Sequence, residues 1–134
     1  MAEFIFKDMT KEYDVHAESM AVSDEETGNP IYPPAAAVLR RHGIAHEGHR
    51  ARRVTRSDYE SFDYVVVMEE YNKRLLYRII GRDDGDKVRR LLDFTNHPGD
   101  IEDPWYTGNF EKVYSEIKEG CEALLEHMKN KGEI

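Results

Sequence analysis

Residues 63–68 read DYVVVM, the strongest apolar run in this chain of 134 residues. A continuous apolar run of this length is typical of a strand that is covered on both faces, as in a parallel sheet. A helix is predicted after it, over residues 71–80, and Gly81 ends the pattern. A strand followed by a helix is the repeating unit of parallel sheets, so this stretch indicates an α/β fold.

More strands and helices are predicted on both sides of this unit. Residues 15–23 and 88–94 are predicted strands, and a short helix is expected over residues 57–62 with Ser57 as its cap. Their alternation predicts one doubly wound domain over residues 1–134. Three other helices are predicted, over residues 1–9, 33–43 and 110–128. The second has prolines in its first turn and Gly43 at its end, and the third has Asn109 as its cap.

The composition excludes several classes of protein. Lys and Arg number 19 against 27 Asp and Glu, a net charge of −8, which argues against a nucleic-acid-binding protein. No apolar run reaches the roughly 20 residues that a membrane span needs. The single cysteine excludes an internal disulfide and a multi-cysteine metal site, and it fits a reducing, cytoplasmic compartment.

That single cysteine, Cys121, is predicted to be a core residue. It lies on the apolar stripe of the last predicted helix, between Glu119 and Glu122. A reactive thiol needs a partly exposed, electropositive setting, whereas acidic neighbours disfavour the thiolate. A nucleophilic role is therefore not the favoured interpretation.

Residues 40–56 are rich in histidine and arginine. His46 and His49 could bind a metal from one helix face, but glycines at 43 and 48 break any helix and no other ligands complete the site. No metal site is predicted. Six arginines against one acid could steer an anionic substrate or pair subunits, although such a charge run is more often only a solvated face.

The segment Asp103-Pro104-Trp105-Tyr106-Thr107-Gly108 is the most unusual in the chain. Open α/β sheets bind ligands in loops at the carboxyl ends of their strands. An aspartate held there beside aromatic rings could act as a general acid. The alternative is a turn fixed by Asp-Pro, with the aromatic rings packed beneath it.

At this segment the chain resembles the low molecular weight protein tyrosine phosphatase family. The order and spacing of the matching pieces, spread over nearly the whole chain, make the resemblance specific. These pieces are MAEF at residues 1–4, the loop ending Gly28-Asn29-Pro30, LRRHGI at 39–44, HRAR at 49–52, FDY at 62–64, MEE at 68–70 with Asn72, DPWYTG at 103–108 and GCE at 120–122.

The resemblance implies a three-layer doubly wound fold with a four-stranded parallel sheet in the order 2-1-3-4. It implies hydrolysis of phosphotyrosine through a phosphocysteine, without metal or organic cofactor. The nucleophile belongs to a Cys-x5-Arg-Ser loop that holds the phosphate. By the motif match, Asp103 is the general acid, and Trp105 and Tyr106 flank the substrate ring.

The chain departs from the family pattern at its beginning. The family's first strand and Cys-x5-Arg-Ser loop are absent, and Met1 stands where relatives have just completed Arg-Ser-Pro. Tyr32-Pro33-Pro34 also replaces the usual Asp-Pro-Arg. We therefore expect a chain truncated at its N-terminus, by nature or by choice of start site, that is inactive as given. A thiol-based arsenate reductase of the same fold would need several cysteines.

The absent strand is central in the family's sheet, so its two neighbours, residues 15–23 and 64–68, each face a gap. Unpaired backbone groups in a buried sheet are costly. We expect these neighbours to pair with each other, or a second copy to supply the partner in a dimer or domain swap. Phosphotyrosine or phosphoarginine proteins are expected substrates of the complete enzyme only. The alternative function is a non-enzymatic interaction module, binding through the arginine-rich segment or the Asp103 loop.

Overall fold

A computed structural model describes residues 1–22, 32–46, 52–104 and 108–134 of the chain. It contains helices and strands in alternation, as the sequence predicts. The elements in chain order are α1 (Ala2–Met9), α2 (Pro33–Arg41), α3 (Arg56–Ser61), β1 (Val65–Val67), α4 (Glu70–Ile80), β2 (Val88–Arg90), a 3-10 helix (Leu91–Phe94) and α5 (Phe110–Asn130).

The sheet is parallel, which confirms the interpretation of residues 63–68. Strand β1 pairs with β2, with Val65 opposite Val88 and Val67 opposite Arg90. The predicted strand over residues 15–23 is wrong over its described part, residues 15–22. There the described residues give one bridge, between Ala21 and Arg53. A strand is stable only with a partner along its length, and residues 15–20 have no such partner within the described ranges.

The predicted strand over residues 88–94 is also only partly correct. Residues 91–94 turn into the 3-10 helix. The Arg90 backbone N–H donates to the Asp93 carboxylate at 3.2 Å, which favours the turn over an extended chain. Leu91 and Leu92 are thereby buried, at 2% and 4% exposure.

Helix α3 is capped by Thr55 and not, as predicted, by Ser57. The Thr55 Oγ1 accepts a hydrogen bond from the Asp58 backbone N–H at 3.1 Å, and the Asp58 carboxylate accepts one from the Thr55 backbone N–H at 2.8 Å. This reciprocal pair satisfies two backbone donors that the helix itself leaves unbonded. The helix therefore begins one residue earlier, at Arg56.

The remaining helix predictions are confirmed in type and position. Helix α2 ends at Arg41, two residues before Gly43, and α4 ends at Ile80, directly before Gly81. The φ angles of these glycines, 71° and 85°, lie in the left-handed region that glycine tolerates. The Asn109 side chain caps α5 by accepting from the Lys112 backbone N–H at 3.1 Å. None of the helices in the described ranges combines the length and apolar character that crossing a bilayer requires.

Two apolar clusters lie on opposite faces of β1. The first cluster contains the buried side chains of α1, α2, the 3-10 helix and α5, and Val66 packs against it. Val65 packs against the second cluster, beneath α3 and α4. The alternation of strand side chains explains this division. The second cluster consists of Val54, Tyr59, Val67, Leu76, Ile80 and Val88.

Candidate active site

Polar residues follow both strands where they end. Glu69, two residues after β1 ends, is the cap residue before α4, and its backbone N–H donates to Asn72 Oδ1 at 3.1 Å. Arg90 is the last residue of β2. Because the strands are parallel, these groups lie at the same carboxyl edge of the sheet, which is the usual place for a ligand site in this fold class.

The chain leading to Asp103 is fastened to this edge. The Ile101 backbone N–H donates to the Met68 carbonyl at 3.0 Å, just beyond β1. One oxygen of Asp100 accepts from the Glu70 backbone N–H at 3.0 Å and from Arg90 Nη1 at 3.0 Å. Residues 100 and 101 are therefore held by the ends of both strands, and Asp103 follows two residues later.

Asp103 is exposed and lies among other carboxyl groups. Burial raises the pKa of Glu69, and the negative charges of Asp100, Asp103 and Glu102 raise it further. Asp103 therefore lies near enough to Glu69 to act on it electrostatically. An exposed carboxyl group at the carboxyl edge of the sheet can exchange protons with a ligand bound there.

The predicted substrate-binding residues Trp105 and Tyr106 lie outside the described residues. The residues on either side of them are joined, since the Gly108 backbone N–H donates to the Pro104 carbonyl at 2.7 Å. Gly108 has a φ of 72°, a conformation that favours glycine. This hydrogen bond joins Pro104, which directly follows Asp103, to Gly108, which lies two residues before α5 begins.

The described cations near this edge are already paired. Arg90 Nη2 lies 3.1 Å from Asp93 Oδ1, while its Nη1 bonds Asp100. Three arginines of residues 40–56 likewise have acidic partners, in the pairs Arg41–Glu111 at 2.8 Å, Arg52–Asp58 at 3.0 Å and Arg56–Asp84 at 3.3 Å. Their positions favour a solvated, ion-paired face over a site for anions.

Cys121 lies in the first cluster with 2% exposure, which confirms its prediction as a core residue. Burial, and secondarily the charge of Glu122, raises the pKa of its thiol to about 12. At neutral pH such a thiol is protonated and inaccessible, so it is not a nucleophile.

The histidines of residues 40–56 have structural contacts where they are described. The His42 ring stacks on Tyr114 at 3.8 Å between centroids, and its Nε2 lies 3.0 Å from a carboxylate oxygen of Glu111. His46 bonds the Ile44 carbonyl at 3.1 Å, and His49 is outside the described residues. Within the described ranges, no three His, Cys, Asp or Glu side chains gather as metal ligands.

Sequence reasoning singled out Asp103 but missed the supporting role of Glu69, Arg90 and Asp100. No local sequence motif marks these residues. They lie together only because two strands end at the same edge of the sheet. Their position in the sequence could have indicated this, because polar residues that directly follow predicted parallel strands lie at one edge of the sheet.

Comparisons with known proteins identify the family of this chain. Residues 1–133 match the sequence model of the low molecular weight phosphotyrosine protein phosphatases. The low molecular weight protein-tyrosine-phosphatase YfkJ of Bacillus subtilis is 38% identical over 131 residues, covering 93% of this chain and 84% of that relative. The human low molecular weight phosphotyrosine protein phosphatase is 33% identical over 135 residues, covering 94% and 85%.

Solved structures give the same result for the fold. The crystal structure of Bacillus subtilis YfkJ matches with a TM-score of 0.92 at 35% identity, over 97% of this chain and 86% of that one. The low molecular weight protein tyrosine phosphatase of Streptococcus pyogenes matches with a TM-score of 0.86 at 29% identity, over 95% and 82%. With its doubly wound parallel fold and its match to the family over almost every residue, the chain belongs to the low molecular weight phosphotyrosine protein phosphatase family.

Proposed function

We propose that this chain carries the general-acid part of a site that hydrolyses phosphotyrosine, with Asp103 as the acid. The observation that carries the proposal is the anchorage of residues 100 and 101 to the ends of both strands. This anchorage presents Asp103 at the carboxyl edge of the sheet. The relatives from Bacillus subtilis and human are a protein-tyrosine-phosphatase and a phosphotyrosine protein phosphatase, which supports the substrate class.

The chemistry requires an acid at this place. Breaking the phosphorus–oxygen bond of phosphotyrosine releases a phenolate, whose conjugate acid has a pKa of about 10. A proton from the Asp103 carboxyl group to the phenolic oxygen makes the leaving group neutral. The resulting carboxylate then removes a proton from the water that hydrolyses the phosphoenzyme.

We further propose that the 134 residues do not turn over substrate by themselves. They contain one cysteine, Cys121, and its buried, protonated thiol cannot attack phosphorus. The described carboxyl edge is acidic, and Arg90 is committed to Asp93 and Asp100. Catalysis therefore requires a nucleophile and a phosphate-binding loop that these residues do not supply.

Hydrolysis of p-nitrophenyl phosphate by the purified chain tests this part of the proposal. We expect no rate above that of buffer, and no change on Cys121→Ser, because the thiol is unused. A rate that Cys121→Ser abolishes would show that this thiol is the nucleophile and would overturn the proposal.

The role of Asp103 is tested in a chimera that places, ahead of Met1, a strand and a Cys-x5-Arg-Ser loop of the family pattern. Asp103→Asn should lower kcat of the active chimera by roughly 100- to 10,000-fold, the range for a lost general acid. The matched control is Glu102→Gln, which removes the neighbouring charge and should leave kcat within about threefold. Equal effects of the two substitutions would contradict the assignment.

A further inference from the structure

Helix α4 carries three exposed side chains on one face. Tyr71, Arg74 and Arg78 are exposed, and their spacing of three and four residues places them within about 60° of one another around the helix axis. Tyr71, at 58% exposure, is the most exposed large apolar residue in the described ranges. The opposite side of the helix is buried through Leu76 and Ile80. The exposed face, called the α4 stripe, is therefore not part of the packing that holds α4 in place.

The two arginines of the α4 stripe have no acidic partner among the described residues. Glu70, the usual partner of Arg74 at four residues' distance, is directed to Arg90 instead, with 3.9 Å between Oε2 and Nε. The Arg74 guanidinium lies over the Tyr71 ring, 5.7 Å from its centroid. Residues 70–80 hold three cations against one acid, in a chain whose net charge is −8. The stripe is thus a cationic surface on an acidic protein.

We propose that the α4 stripe binds an extended, acidic segment of a partner protein, with carboxylates at alternate positions. Arg74 and Arg78 are four residues apart, which separates them by about 6 Å along the helix. Alternate residues of an extended segment are about 6.6 Å apart and lie on one side of it, so the acidic side chains of a Glu-x-Glu pattern reach both arginines. Adjacent acidic residues point to opposite sides, so only one of them binds.

The position of Arg74 over Tyr71 favours such a partner. A guanidinium that lies over an aromatic ring keeps the N–H groups of its rim available, and these bond a carboxylate through two parallel hydrogen bonds. The exposed Tyr71 ring also offers an apolar surface to the aliphatic part of a bound side chain. Because the ring holds the arginine in advance, less conformational freedom is lost on binding.

The charge of the chain favours an acidic peptide over other anionic partners. Duplex DNA carries one negative charge for about every 1.7 Å of its axis, and proteins that bind it are normally basic. The net charge of −8, with Glu70 and Asp100 at the start of the stripe, repels such dense charge and an anionic membrane surface alike. A short segment with two carboxylates meets the two arginines without bringing further charge to those acids.

The α4 stripe adjoins the candidate active site. The Glu70 backbone N–H, directly before Tyr71, donates to Asp100 at 3.0 Å, and Asp103 follows three residues later. A segment bound along the stripe therefore brings neighbouring residues of the same partner near that acid. That the partner is a substrate, a protein with an acidic segment beside its phosphotyrosine, rests on the proposed function. The binding of the acidic segment itself does not.

An NMR titration of the whole chain with two peptides tests the binding. The probe is a peptide of about seven residues, long enough to span the stripe, in which glutamate alternates with alanine. The control peptide has the same composition with its glutamates adjacent. Amide shifts should be centred on residues 71–78. The alternating peptide should bind about threefold more tightly, the equivalent of one additional exposed ion pair.

Substitutions in the stripe test the two arginines. Arg74→Gln and Arg78→Gln should each weaken binding of the alternating peptide by about two- to fivefold, the range for an exposed ion pair. The matched control is Arg40→Gln on α2, which removes the same charge from an exposed arginine that also has no acidic partner among the described residues. It should leave the dissociation constant within about 1.5-fold, since distant exposed charges are screened.

Several results would overturn the proposal in distinguishable ways. Shifts that avoid residues 71–78, or equal weakening by Arg40→Gln, would show that the stripe is not the binding surface. Equal affinity for the two peptides would exclude the matched spacing. Shifts that depend on chain concentration without peptide would identify a second copy as the occupant, and tighter binding of a single-stranded oligonucleotide at the same amides would identify nucleic acid. Failure of the proposed function would leave all these binding results unchanged.

Discussion

Helix α5 and the extended segment 15–22 both contribute side chains to the first cluster, but their backbones are hydrogen-bonded in different ways. The backbone groups of α5 bond within the helix, and Asn109 caps its start. Segment 15–22 has one bridge, at Ala21, among the described residues. A helix satisfies its backbone locally, whereas a strand needs a partner from elsewhere, so only the strand is sensitive to which other segments are present.

The difference extends to the side chains. On α5, Ile117 is buried to 4% exposure and Leu124 to 6%. On segment 15–22, Val15 and Ala17 are only half-buried. Apolar burial therefore stabilises α5 far more than the segment, which can be measured by truncating side chains in both.

The largest effect is expected at the centre of α5. Ile117→Ala removes a buried side chain and leaves a cavity, so the free energy of unfolding should fall by about 3 kcal/mol. Urea denaturation monitored by circular dichroism gives this value. A loss below about 1 kcal/mol would contradict the picture of α5 as the main packing element.

A smaller loss is expected where α5 crosses the 3-10 helix. A Cβ at Gly120 would overlap the side chain of Leu91, so Gly120→Ala should cost roughly 1–2 kcal/mol despite a helix-propensity gain of about 1 kcal/mol. In a Leu91→Ala background the overlap disappears, and the same substitution should become stabilising. Thermal denaturation of the unsubstituted chain, the two single variants and the double variant decides this, and an unchanged sign would exclude the steric explanation.

The cap of α3 should give an effect of about 1 kcal/mol that depends on pH. The hydrogen bond from Arg52 is the main cause that lowers the pKa of Asp58 from 3.8, and those from Thr55 add to it. Because the folded pKa is the lower one, this stabilisation is complete above about pH 4 and is lost as the pH falls through the folded pKa. Asp58→Asn should therefore cost no more than about 1 kcal/mol at pH 7, because the amide oxygen can still accept from the Thr55 N–H but the charge that pairs with the half-exposed Arg52 is lost.

Denaturation of Asp58→Asn and the unsubstituted chain between pH 7 and pH 2 measures this prediction. The difference should stay constant down to about pH 5 and shrink below pH 4. Glu60→Gln, on the same helix but 64% exposed, is the control and should change stability by less than about 0.5 kcal/mol at any pH. A difference for Asp58→Asn that grows on acidification would contradict the assigned direction of the pKa.

The smallest effect is expected on segment 15–22. Val15→Ala removes a half-buried side chain and should lower the free energy of unfolding by about 0.5 kcal/mol. The measurement is the same urea denaturation as for Ile117→Ala. A loss equal to that of Ile117→Ala would abolish the contrast between the two regions.

The sequence predicts best the elements that depend least on the rest of the chain. Helices α4 and α5 carry their period, caps and stops within themselves, and the apolar run at residues 63–68 identifies β1. Residues 15–22 have the composition of a strand, but pairing depends on a neighbour that no local pattern reveals. Residues 91–94 leave the predicted strand because Asp93 bonds the Arg90 backbone and α5 buries the two leucines.

The candidate site also has one part that the sequence predicts and another that only the fold shows. Asp103 is recognisable because an Asp-Pro step followed by aromatic residues is unusual. The anchoring of that aspartate by Asp100 and Arg90 could not be predicted, because it depends on where two strands end and on how residues 100 and 101 return to them. The predicted contacts of Trp105 and Tyr106 with a substrate ring stay predictions.

The position of β1 between two apolar clusters has a consequence for how the protein opens. Of the side chains described, six are buried in the second cluster and fifteen in the first. Loosening α3 and α4 exposes the smaller set while the larger one stays intact, so this side can open with less free energy than global unfolding requires. Amides on α4 should then lose protection before those on α5 as denaturant is added, and melting would proceed in two cooperative units.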